Sequence, residues 1–95
     1  MTSWPEEIKQ YREVVYEPTF DSELKAIHPS FQRAEEFVDG AVWILARSPE
    51  SGHRISTTSN VWMLPVAQVD DIPHAAIFYT FTNTHVWLLS IKRSD

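Results

Sequence analysis

The chain of 95 residues has no cysteine. That excludes a disulfide framework, a thiolate metal site and a cysteine nucleophile, and it favours a reducing, cytoplasmic setting over secretion. Glycine is scarce, with two residues, and no short repeat runs through the sequence, so collagen-like, linker-like and solenoid architectures are excluded. The first ten residues, MTSWPEEIKQ, lack the basic start and apolar core of a signal peptide. No apolar run approaches the roughly 20 residues that a membrane helix needs. A cationic surplus is also missing. Residues 1–50 carry five Lys or Arg against ten acids, residues 51–95 carry three of each sign, and the net charge is −5. Nucleic-acid binders draw affinity from a concentrated basic footprint that this balance does not offer. No GxSxG, GxxxxGKS, GxGxxG or HExxH pattern occurs, so hydrolase, P-loop, dinucleotide and zinc-protease chemistry find no support. His28, His53, His74 and His85 form no pair at helical spacing. No metal and no cofactor is therefore expected.

What is present is an ordinary globular composition, 43% hydrophobic and 13% aromatic, enough for one modest core. A single domain over residues 1–95 is expected, with residues 1–10 a flexible N-terminal tail. Tyr11–Glu17 is short, aromatic and β-branched, which predicts a first strand ended by Pro18. Thr19 then caps a short helix to Ile27, closed by His28-Pro29. Phe31, Ala34, Phe37, Val38, Ala41, Ile44 and Leu45 recur at i, i+3, i+4 spacing and predict a second helix over 30–47. Gly40 inside it costs roughly 1 kcal/mol relative to Ala, and a close approach to another element would account for it.

Downstream the period changes to two. Val61–Val66 reads as a strand, with Pro65 implying an edge or an early end, and Ala67–Pro73 as an acidic connection. Ala75–Thr82 and His85–Ile91 read as an antiparallel hairpin turning near Asn83. The expected fold is α+β: one strand, then two helices packed on one face of a mostly antiparallel sheet of about four strands. Trp43 and Trp87 are expected to be structural, Trp62 to lie near an edge and Trp4 in the tail. Asp70-Asp71 reads as a solvated turn.

Laid end to end, these segments resemble the RelE/ParE superfamily of bacterial toxin–antitoxin toxins. The resemblance spans residues 11–93 and rests on four stretches. They are YREVVYEPTFDSELKAI (11–27), the helix end LARSPESGHRI (45–55), the strand VWMLPV (61–66) and the hairpin AIFYTFTNTHVWLLSIKR (76–93) with its final Lys-Arg pair. It implies a cytoplasmic toxin that inhibits an essential machine, DNA gyrase or the ribosome, and is neutralised by a cognate antitoxin protein.

RelE-like members cleave mRNA on the ribosome, which takes several cationic side chains around one phosphate. The family pattern places Lys or Arg on the strand matching Val61–Val66 and an Arg three positions before Tyr79. Here the strand has no cation and Ala76 occupies the arginine position. Arg93, with Lys92 beside it, matches a cationic position, and His74 can stand in for a lost one. Candidate catalytic residues are thus Arg93, His74 and Tyr79, and candidate binding residues Lys92, Arg54 and His53. Tyr79 also alternates with Ile77 and Phe81 as a core residue does, and His53-Arg54 could simply cap a helix end. The missing cations place ParE-like gyrase poisoning ahead of RelE-like cleavage. A protein-binding module that keeps the fold without toxicity is the third reading.

Overall fold

A computed structural model describes residues 11–94, so the expected tail and Trp4 lie outside the described residues. The elements in order are β1 (Glu13–Tyr16), α1 (Pro18–Ile27), α2 (Phe31–Arg47), one 3₁₀ turn (Pro49–Ser51), β2 (His53–Arg54), β3 (Trp62–Val66), β4 (Ala75–Phe81) and β5 (His85–Arg93).

Both helices begin where the sequence makes the backbone turn. α1 starts two residues earlier than expected because Pro18 sits in its first turn, where its fixed φ suits a helix and its missing N–H would have had no partner. The cap position is Glu17, extended and without a side-chain cap bond, so Thr19 is not the cap. An Asp21–Lys25 ion pair at 3.0 Å spans one turn of the exposed side, and His28, forced into extended geometry by Pro29, ends the helix. α2 is capped by Ser30, whose Oγ accepts the Arg33 N–H at 3.3 Å.

The helices bury Phe20, Leu24 and Ile27 from α1, and Ala34, Phe37, Val38, Ala41 and Leu45 from α2. Phe31 and Ile44, expected in the same stripe, lie on its margins at 41% and 39% exposure. Trp43, expected to be structural, points outward at 59% exposure, because it falls opposite Ala34 and Leu45 on the helix.

The sheet has five strands in the order β1-β5-β4-β3-β2, one more than expected. The addition is the two-residue β2, paired with Trp62 and Met63. β1 runs parallel to β5, from Glu13 beside His85 to Tyr16 beside Leu88, and the other pairings are antiparallel. Pro65 falls where β2 has already ended, so its missing N–H removes no ladder bond on that side. Ala75, Ile77, Tyr79, Val86, Leu88 and Ile91 face the helices and are buried. The helices cover this face, and no described element covers the opposite one, the open face.

Gly40 does not serve the close approach expected of it. A Cβ built there meets nothing within 4 Å, and the residue is exposed in mid-helix. Gly40→Ala should therefore raise stability by about 1 kcal/mol, seen as a rise in Tm of several degrees in thermal unfolding.

Candidate functional site

Strand register decides which face each candidate residue occupies, because directly paired residues point to the same side of a sheet. Arg93 pairs with buried Ala75, and Arg54 pairs with Trp62. Both arginines thus belong to the helix-bearing side. His53 (paired with Met63) and Lys92 (paired with Ala76) belong to the open side. His74 immediately precedes β4, and its carbonyl accepts the Ser94 N–H at 2.9 Å. That bond makes His74 and Arg93 neighbours at one end of the sheet.

Arg54 lies four residues further along the strands and three strands across, about 20 Å away from Arg93. There its Nε donates to the Ser59 carbonyl at 3.4 Å. The fold brings together His74, Lys92 and Arg93, and sets His53 and Arg54 at the far corner.

Tyr79 is fully buried. Its hydroxyl donates to the Pro49 carbonyl at 2.5 Å and accepts the Gly52 N–H at 3.2 Å, tying the chain after α2 to the sheet. Burial pushes the phenol pKa up, with the Gly52 hydrogen bond acting against it and Glu50 adding to it. These contacts match the core reading of Tyr79 weighed in the sequence.

Three polar contacts have no sequence signal, because their partners are 37 to 72 residues apart. The first is Glu23. Beyond Leu88, β5 loses its partner β1, and Glu23 of α1 takes over that bare edge. Its carboxylate accepts the Ile91 N–H at 3.1 Å and the Ser90 hydroxyl at 2.7 Å, and it pairs with Lys92. Burial pushes the Glu23 carboxyl up, but the bonds from Lys92, Ser90 and Ile91 outweigh it and hold the pKa below the usual carboxylate range. A carboxyl with a depressed folded pKa contributes stability above its unfolded value, and the contribution is lost as pH falls through the folded value. Glu23→Gln should therefore lower stability at neutral pH and flatten its acid dependence below about pH 4.5, as chemical denaturation at several pH values would register.

The second contact is made by the solvated turn at Asp70-Asp71, whose two carboxylates are exposed as expected yet also hold partners. Asp70 takes φ 52, a left-handed conformation that Asp tolerates, between the paired residues Val69 and Ile72. The turn then lies on the α1–α2 junction. Arg33 reaches Asp70 at 3.3 Å and Asp71 at 3.2 Å. His28 Nδ1 accepts the Ser30 N–H at 3.0 Å, which leaves the ring proton on Nε2 to donate to Asp71 at 3.1 Å. That bond leads in holding the Asp71 carboxyl below its ordinary range. The third contact joins β1 to β5, where His85 Nε2 lies 3.6 Å from Glu13.

The open sheet face is mainly apolar. Val15, Met63, Pro65, Ala76, Phe78 and Trp87 occupy it, with His85 stacked on Trp87 at 5.4 Å. Lys92 is its one Lys or Arg among the described residues, and that side chain is paired with Glu23. Among the described residues there is also no group of three or more His, Asp or Glu side chains placed to hold a metal ion, and no helix long and apolar enough to cross a membrane.

No protein-family model and no curated protein matches the chain. Solved structures similar in fold include two toxin–antitoxin structures. One is the chromosomal ParDE TA system from P. aeruginosa, with a TM-score of 0.67 at 14% identity, covering 90% of this chain and 99% of the other. The second is the toxin–antitoxin complex RelBE2 from Mycobacterium tuberculosis, with a TM-score of 0.64 at 18% identity, covering 90% and 94%. Two helices on one face of a mixed five-stranded sheet, matched over nearly the full length of both, give this chain the RelE/ParE-like fold.

Proposed function

We propose that the chain is the toxin of a type II toxin–antitoxin pair, held in check by a cognate antitoxin protein. In this reading it acts by protein contact, with ParE-like poisoning of gyrase ahead of RelE-like cleavage of mRNA. The fold supports the general reading, since both similar structures are toxin–antitoxin systems.

The observation that carries the choice of mechanism is the open sheet face. RNA scission without a metal takes several cationic groups on one phosphate, to activate the 2′-hydroxyl and to stabilise the phosphorane. Among the described residues Lys92 is the one Lys or Arg on that face, and Arg93 and Arg54 lie on the opposite side, far apart. A surface of Trp87, Phe78, Met63 and Val15 desolvates readily against a protein and offers a phosphate nothing.

Induced expression, with and without the neighbouring open reading frame, tests both levels. The expected result is growth arrest with DNA damage, altered supercoiling and intact mRNA, relieved by co-expression of the antitoxin. Arrest with cut mRNA, lost in a folded Arg93→Ala variant, would reinstate ribonuclease chemistry. Full tolerance of strong expression would leave a protein-binding module.

A further inference from the structure

The outward face of α2 carries an exposed combination of acids, a glycine, an indole and a base, with Glu36 accepting a bond from Gln32 at 3.4 Å. Its exposed residues include Glu36, Asp39, Gly40, Trp43 and Ile44, and Arg47 follows one turn on. Trp43 and Ile44 are 59% and 39% exposed, and Tyr11 beside them is 54% exposed. Arg47 is clamped between two rings, 3.9 Å from the centroid of Tyr11 and 3.8 Å from that of Trp43, and it donates to the Trp43 carbonyl at 3.1 Å. The stack limits the conformations of Trp43, so little rotamer freedom remains to be lost on binding.

Next to this held indole, Gly40 leaves a notch in the helix surface whose helix-propensity cost, about 1 kcal/mol, no internal contact offsets. Charge along the face is ordered, with Glu36 and Asp39 towards the N-terminal half and Arg47 at the C-terminal end. Such a sequence of acid, notch, indole and base complements itself when the helix meets a reversed copy.

We propose that this face is a self-association surface. Two chains pack their α2 helices antiparallel about a two-fold axis near residues 41–42. Each Trp43 lies over the partner's Gly40, and each Arg47 faces the partner's Glu36. A two-fold contact repeats every pair, so one register satisfies the indole and the ion pair twice each. Glycine at the crossing lets the two backbones approach closely. A single helix face with one flanking ring is small beside the roughly 800 Å² per partner of a standard interface, so the dimer is weak and depends on concentration.

Sedimentation of the purified full chain from micromolar to near-millimolar concentration is the test. A monomer–dimer equilibrium is expected. Trp43→Ala should weaken it at least about tenfold, and Gly40→Ala should weaken it while raising Tm.

Charge reversal supplies an independent readout. Glu36→Arg alone and Arg47→Glu alone should each give monomers, whereas a 1:1 mixture of the two variants should dimerise, because both cross-pairs are then opposite in sign. Residues 36 and 47 stand about 16 Å apart along one helix, so rescue in the mixture reports contact between chains. A chain that stays monomeric throughout overturns the proposal, as does a dimer indifferent to Trp43→Ala and Gly40→Ala. A mixture that behaves like its separate components does so too.

Discussion

Phe20→Ala should lower the stability of the folded chain by about 3–5 kcal/mol, measured as a drop in the urea midpoint. Phe20 has no exposed surface and anchors α1 together with Leu24 and Ile27. Its ring meets Tyr16 of β1 edge-on at a centroid distance of 5.2 Å, an arrangement that adds to the simple burial of area. α1 also presents Glu23 to the bare edge of β5, so loosening the helix weakens a second set of contacts. A chain of this length has roughly 5–14 kcal/mol of stability in total, so the loss is a large share of it. Phe20→Leu, which retains most of the buried volume, should cost much less. Equal losses for the two variants would show that the ring geometry, and not the volume, holds α1 in place.

The second large effect is expected at Gly52, for reasons of space. Its φ is ordinary at −84, so no left-handed conformation demands glycine there. A Cβ at this position would lie 2.4 Å from the Tyr79 hydroxyl oxygen and 2.6 Å from the Met63 carbonyl oxygen. The first neighbour belongs to a buried ring fixed by two hydrogen bonds, and the second to the backbone of β3, so neither can yield cheaply. Gly52→Ala should cost about 2–3 kcal/mol, with the loss of the Gly52 N–H to Tyr79 bond as part of it.

Tyr79→Phe is the informative companion. Removing the hydroxyl leaves the Pro49 carbonyl and the Gly52 N–H without that partner, at a cost of about 1–3 kcal/mol. It also clears the nearer of the two clashes. In the double variant the losses should therefore add to less than their sum, as thermal or urea unfolding of the four proteins would determine. Simple additivity would mean that the Met63 carbonyl sets the whole cost at Gly52.

Much of the fold was legible because its signals are local. The His28-Pro29 break, the helical stripe through Ala34, Val38, Ala41 and Leu45, and the alternation in β4 and β5 each depend on neighbours a few residues away. Where the reading failed, a competing local account was equally good. Pro18 ends a strand as well as it opens a helix, and two residues, His53-Arg54, are too few to show any period. Trp43 looked like a core residue by type, yet the 100° advance per residue places it opposite the buried stripe. Of the site, residue identities were visible and mutual positions were not. His74 and Arg93 become neighbours only through the hairpin register, and Arg54 is carried to the other corner by the same pairing.

By itself the sequence determined the element order, the α+β class, the absence of thiol chemistry and the shortage of cationic side chains, since all of these are properties of composition and short-range period. Tertiary structure alone decided that Tyr79 ties a loop to the core, that Glu23 closes the edge of β5, that Asp70 and Asp71 grip the α1–α2 junction, and which side of the sheet each arginine occupies. Those outcomes follow from strand register and from contacts between residues far apart in the chain. In a sheet, a shift of one residue moves a side chain to the opposite face, and no local pattern encodes which partner a distant carboxylate will meet.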